Sequence, residues 1–196
     1  MQSKTLAMAT ATSALLIVAV LLVSGSVVMA ATESESSRTN DIKAVFIYKF
    51  TGYVTWPDDE AETFTIAVLG SSGLLPPLRK IAEKRQVDSR SVVIRECTKV
   101  DEISGAHIVL IAESMEEYLP AIVKKAEAER ILTVGSREGL AEKGAAVDFV
   151  STEDRVGFEM NLDAVQRAGL KVSSQLTKLA ILVGGDRASE AKGASE

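Results

Sequence analysis

Apolar positions along the chain form short uninterrupted runs that alternate with stretches of helical spacing, and polar or glycine-containing connections separate the two. Ile42, Val45, Phe46, Phe50 and Tyr53 keep one helical face together, which predicts a helix from Asp41 to Tyr53 with Asp41 near the start, where the helix dipole favours negative charge. Val54 to Pro57 is read as its extended exit, because Trp56 precedes a proline. Phe64 to Leu69 suits a strand covered on both faces. The turn Gly70-Ser71-Ser72-Gly73 leads into a helix whose first turn holds Pro76 and Pro77. Further strands are predicted at Val92–Arg95, Ala106–Ile111 and Ile131–Val134. Ser114-Met115-Glu116-Glu117 has the form of a capping box, but a helix begun there would carry Pro120 in its interior at a cost of about 3 kcal/mol. A tight turn over Ser114–Leu119 followed by a helix from Pro120 to Glu129 resolves the conflict.

Beyond a loop marked by Gly135, Gly139 and Gly144, the runs Ala145–Val150 and Val156–Met160 are joined by Ser151–Arg155. That connection is too short for a helical crossover, so the pair must be antiparallel. Asn161 ends the second strand, a short helical segment follows, and Gly169 breaks it. Lys171, Ser173 and Ser174 are read as opening a final helix with Leu176, Leu179, Ala180 and Val183 on one stripe. The expected fold class is α/β: a three-layer single domain with a mixed, mostly parallel sheet, a C-terminal antiparallel hairpin and a closing helix.

The first thirty residues change the picture of where the chain goes. They hold one basic residue, Lys4, an apolar run from Ala14 to Val23, a Ser24-Gly25-Ser26 interruption, and small residues ahead of a cut after Ala30. This is the layout of a cleaved secretory signal peptide, which competes with an uncleaved anchor over residues 6–31. The expected organisation is therefore 1–30 signal peptide, 31–40 disordered leader, 41–185 α/β domain and 186–196 flexible tail. Of 196 residues, 46% are hydrophobic, enough for one real core. Loss of the leader leaves 21 basic against 27 acidic side chains, a net charge of −6, which disfavours nucleic-acid binding. Cys97 is the only cysteine, so no internal disulfide can form; the thiol is either buried and inert or free to pair between chains, and its place after Val92-Val93-Ile94 favours the buried reading.

Chemical candidates are few. Gly70–Gly73 lacks the Lys-Ser/Thr end of a phosphate loop and reads as a plain turn. His107, the one imidazole, lies in an apolar run and reads as a satisfied core residue. One His and one Cys on different elements make no zinc set, and Asp58-Asp59-Glu60 with Glu62 reads as a solvated acidic loop. No catalytic residue, metal ligand or cofactor is assigned. Trp56 is either a core plug or an exposed partner anchor. Asn161, Ser173 and Ser174 are in helix-capping positions; with Lys171 supplying charge, the same residues are also the candidates for a partner- or ligand-contact pocket.

The segments IYKFTGYVTWP (Ile47 to Pro57), FTIAVLGSSGL (Phe64 to Leu74), ILTVGSREGLAEKGAAVDFV (Ile131 to Val150) and FEMNLDAVQRAGLKVSSQLTKLA (Phe158 to Ala180) resemble the YfiR family of periplasmic repressors. The last is the most specific. The resemblance implies a non-enzymatic, often homodimeric periplasmic protein. Its partner would be the periplasmic domain of an inner-membrane diguanylate cyclase or related sensor, which it represses, lowering cyclic di-GMP and biofilm growth. Members known for redox control carry cysteine pairs, and the lone Cys97 departs from that pattern. A periplasmic small-ligand-binding module feeding a sensor kinase or transporter is the alternative function.

Overall fold

The computed structural model describes residues 35–57, 59–152 and 155–184. The chain divides into two compact units, Met1–Thr39 and Asn40–Glu196. In the first, the described residues 35–39 are helical; the second opens with helix α1, residues 40–50. Helical structure thus begins inside the stretch expected to be a disordered leader, and α1 stops before Tyr53, where Thr51, Gly52 and Tyr53 form turns onto Tyr48, Lys49 and Phe50. The signal peptide and the tail from 186 lie outside the described residues.

After α1 come β1 (Val54–Thr55), β2 (Thr63–Leu69), α2 (Leu75–Ala82), β3 (Gln86–Val87), β4 (Arg90–Cys97) and a 3-10 turn, Val100–Ile103. Then follow β5 (Ile108–Ile111), a 3-10 turn Glu113–Tyr118, α3 (Leu119–Glu129), β6 (Leu132–Gly135), β7 (Val147–Thr152) and β8 (Arg155–Asn161). The chain closes with α4 (Leu162–Arg167), β9 (Lys171–Val172), α5 (Ser174–Thr177) and β10 (Ile181–Val183). Eight strands make one sheet in the order β10-β8-β7-β6-β5-β2-β4-β3, while β1 and β9 pair separately. Neighbours from β7 to β4 run parallel, and β7–β8 is the expected antiparallel hairpin, with Val147 opposite Met160 and Ser151 opposite Val156.

The uninterrupted apolar runs follow from helices on both faces. Ile66, Val68, Ile108 and Leu110 pack with Ala44, Ile47 and Phe50 of α1 and Leu78 of α2. Their alternates Ala67, Leu69, Val109 and Ile111 pack with Leu119, Ile122 and Ala126 of α3. The three-layer α/β class holds. Pro120 lies in the first turn of α3, directly after the 3-10 turn, so the proline decided the helix start as reasoned.

The closing helix is a correction. Only Ser174–Thr177 is helical, and Ile181–Val183 forms a parallel edge strand on β8. Leu176 is buried, but Leu179 is 70% exposed, so the predicted stripe does not exist. The outer edge of β8 would otherwise present unpaired backbone groups, and the aliphatic Ile181-Leu182-Val183 supplies its partner. Lys171 likewise opens no helix; it pairs with Thr55 across the two-stranded sheet.

Candidate functional site

In open α/β sheets ligands gather at the carboxyl ends of strands where the chain reverses direction across the sheet. Here that point lies between β2 and β5, since β2 leads through α2 to β4 on one side and the chain then returns to β5 on the other. The turn at the end of β2 is closely packed there. Gly70 (φ 88°) sits so tightly against the 3-10 turn that a Cβ would lie 2.8 Å from Met115 Cγ and 2.8 Å from Ser114 Oγ. The glycine turn after β2 therefore serves close packing, and Ser72 Oγ accepts from the Leu74 N–H within it.

The opposite, amino ends of the strands hold a denser polar arrangement. Phe64 of β2 stacks on His107 at 4.3 Å, and Trp56 meets Phe64 edge-on at 5.1 Å. The indole N–H of Trp56 donates to the His107 carbonyl at 3.1 Å. His107 Nδ1 accepts from the Thr65 N–H at 3.0 Å, which leaves the ring proton on Nε2, 3.1 Å from Asp59 Oδ2. Asp59 also takes Arg90 of β4, whose guanidinium lies 5.6 Å from the Phe64 ring. Burial pushes the Asp59 carboxyl up, but Arg90, the Ala61 N–H and His107 together hold it below its ordinary value. Asp59 is thus no solvated loop residue: Arg90, distant in sequence, draws it in. Asp58 lies outside the described residues.

This cluster forms one wall of an open cleft of about 420 Å³ lined by Trp56, Asp59, Glu60, Asp88 and Arg90, a volume in the range of small-molecule sites. A smaller hollow of about 190 Å³ on its other side reaches His107, Glu129 and Arg130. The turn between β3 and β4 places Asp88 and Ser89 both at positive φ (50° and 66°), the geometry a two-residue hairpin demands. A third, more apolar hollow lies on α1 among Ile42, Val45 and Phe46.

The contact residues expected from the sequence divide between places. Trp56 is half-buried and fixed as described. Lys171 is exposed, and its register partner is Thr55, the neighbour of Trp56 in the chain. Asn161 is buried at the end of β8, where its side chain accepts from Ala164 N at 3.0 Å and donates to the Ala141 carbonyl at 2.8 Å. Ser173 caps α5 by accepting from Leu176 N, and Ser174 is exposed in that helix's first turn. None of the cavities above is lined by Asn161, Lys171, Ser173 or Ser174. Sequence reasoning missed Asp59 and Arg90, which nothing in their spacing links. Cys97 is buried, its thiol raised by burial, with Sγ 3.4 Å from the Glu102 carbonyl.

Among the described residues no group of three or more His, Cys, Asp or Glu is placed to hold a metal, and no helix is long and apolar enough to cross a membrane. Residues 40–181 match the sequence model of a family described as YfiR/HmsC-like. No curated protein matches the chain in sequence. Among solved structures, a conserved domain protein from Vibrio cholerae superposes with a TM-score of 0.53 at 11% identity, over 74% of this chain and 60% of that one. A ligand-free, open substrate binding protein with adhesive properties from Clostridium difficile gives 0.48 at 16% identity, over 64% of this chain and 56% of that one. An ABC domain in complex with L-Trp from Streptococcus pneumonia gives 0.47 at 14%, over 62% and 55%. The chain thus spans between 55% and 60% of the length of these structures. The likeness is one of fold.

Proposed function

The chain belongs to the YfiR/HmsC-like family, a family of periplasmic regulators rather than enzymes, and from that premise we propose that it holds an inner-membrane diguanylate cyclase, or a related sensor, inactive by binding its periplasmic domain. The observation that carries this reading is the extent of the match, which takes in α1 and every strand up to the start of β10. The repressor must prefer the inactive receptor conformation, since equal affinity for both states shifts nothing. Release would then raise cyclic di-GMP and favour biofilm growth. The proposal includes export through a signal peptide cut after Ala30 and action as a homodimer. The proposed contact surface is the β1–β9 strand pair and the residues flanking it, where Lys171 and Ser174 are exposed and Trp56 is half-buried.

The test is affinity purification of the tagged protein from solubilised membranes, combined with cyclic di-GMP measurement in a deletion strain. Co-purification of a membrane cyclase, raised cyclic di-GMP in the deletion strain, and, for Lys171→Glu in a folded protein, lost co-purification with cyclic di-GMP left as high as in the deletion strain are the expected results. Unchanged cyclic di-GMP with no cyclase or sensor recovered would end this reading. The open cleft beside Trp56 favours a second one, a small-ligand-binding module feeding a sensor kinase or transporter. A thermal-shift screen separates them, because a ligand at about 100 times its dissociation constant adds roughly 2.7 kcal/mol.

A further inference from the structure

One row of register partners crosses the sheet: Ile111 on β5, Gly135 on β6, Asp148 on β7, Glu159 on β8 and Ile181 on β10. At its centre two acidic side chains stand directly opposite each other. Like charges at such a cross-strand position repel, and here the first of them has no access to water: Asp148 is 0% exposed. Its Oδ2 accepts from the N–H groups of Leu140 (2.7 Å) and Ala141 (3.0 Å), which pulls the loop over residues 136–144 down onto the sheet. Gly135 permits that approach, since a Cβ there would lie 2.7 Å from Leu140 Cδ1 and 3.1 Å from Asp148 Cβ.

Asp148 Oδ1 and Glu159 Oε2 are both buried, and among the described residues no N–H or hydroxyl donor reaches either. Two orphaned carboxyl oxygens on facing residues have one economical resolution. A single proton converts one carboxylate into a donor and satisfies both atoms at once. We propose that Asp148 and Glu159 share one proton, and that this pair is a pH-sensitive latch holding the 136–144 loop against the β7–β8 hairpin.

The charged groups around the pair favour keeping the proton. From the loop, Glu138 and Glu142 add negative potential, and with burial and Asp148 they push Glu159 up to about 7. Burial likewise raises Asp148, against the pull of the Ala141, Leu140 and Gly139 N–H groups. The neighbouring cations are engaged elsewhere or turned outward: Arg137 pairs with Glu116, Lys43 of α1 donates to the Ser136 carbonyl, and Lys143 is exposed. From β10 the facing residue is the apolar Ile181. Loss of the proton places two carboxylates face to face in a partly dry site, and the loop is the element whose N–H groups at Leu140 and Ala141 bond directly to the pair.

The test is amide hydrogen exchange of Leu140 and Ala141 in the intact protein, read as protection factors so that the intrinsic pH dependence is removed. Between about pH 6 and pH 8, protection is expected to fall roughly tenfold or more, as titration of a group near neutrality requires. Glu159→Gln keeps a donor toward Asp148 Oδ1 and removes the titration, so its protection should stay flat and high. Infrared spectroscopy adds a direct reading: a protonated carboxyl band present at the lower pH and lost at the higher one, missing in Glu159→Gln. Flat protection in the unmodified protein, an unchanged pH dependence in Glu159→Gln, or no carboxyl band that this substitution removes would each overturn the latch.

Discussion

Replacing Asn161 by alanine should destabilise the protein by about 2–4 kcal/mol, as the sum of two separable losses. The first is the cap on α4, where the Asn161 side chain accepts from Ala164 N; N-cap deletions cost about 1 kcal/mol. The second is the carbonyl of Ala141, a fully buried residue that receives the Asn161 amide at 2.8 Å. A buried acceptor left bare costs about 1–3 kcal/mol. Asn161→Asp isolates the second loss, because a carboxylate still caps the helix but sets a negative oxygen against the Ala141 carbonyl. Protonation restores a donor, so the deficit of the Asp variant against the unmodified protein should shrink as pH falls toward the carboxyl range, while that of the Ala variant stays nearly constant. Urea unfolding followed by circular dichroism gives both numbers, with unchanged m-values confirming that only stability moved. A loss below about 0.5 kcal/mol in Asn161→Ala, within the scatter of ordinary surface substitutions, would refute the claim that this residue ties β8, α4 and the 136–144 loop together.

Other expectations concern pH, the core and the thiol. Glu159 ionises at about 7 in the folded chain against an ordinary 4.5, so the native state binds more protons than the unfolded one across that window. Its contribution is full below the unfolded value and lost as pH rises through the folded one, up to about 3 kcal/mol. Asp59 and Glu116 are shifted the other way, so they withdraw support as pH falls into the carboxylate range; chemical unfolding across pH should show an acidic-side maximum, and stability that rises from pH 6 to 8 would contradict it. Leu176→Ala should cost about 2–5 kcal/mol through a cavity, measured by the same unfolding; a loss under about 0.5 kcal/mol would mean the residue does not pack as described. Cys97, buried with a raised thiol, should react with a thiol reagent only on unfolding and give no disulfide dimer on a non-reducing gel.

How much of the fold was legible depended on the size of the local signal. Strands buried on both faces announce themselves as apolar runs, because neither Ile66 and Val68 nor Ala67 and Leu69 see water. Pairs of two residues, such as Gln86–Val87 and Lys171–Val172, are too short to carry any period. The closing helix failed for a different reason: Leu176, Leu179, Ala180 and Val183 do fall at helical spacing, but the unfilled edge of β8 was invisible in one dimension. At the candidate site, Trp56 and the capping role of Asn161 were readable from their neighbours in the chain. Asp59 with Arg90, and Asp148 with Glu159, were not, although a lone aspartate inside the apolar run Ala145–Val150 was a signal that could have been used.

By itself the sequence determined the α/β class, the antiparallel hairpin, the start of α3 and the caps at Asn161 and Ser173, because each rests on interactions within a few residues or on the period of one element. It also carried the family, through the segment from Phe158 to Ala180. The tertiary structure alone decided which side chains meet: Asp59 on Arg90 and His107, Asp148 opposite Glu159 beneath a loop that Gly135 admits, and β10 on the edge of β8. Those contacts depend on strand order and register, and the free energy that selects them is spread over the whole sheet rather than written at any one position.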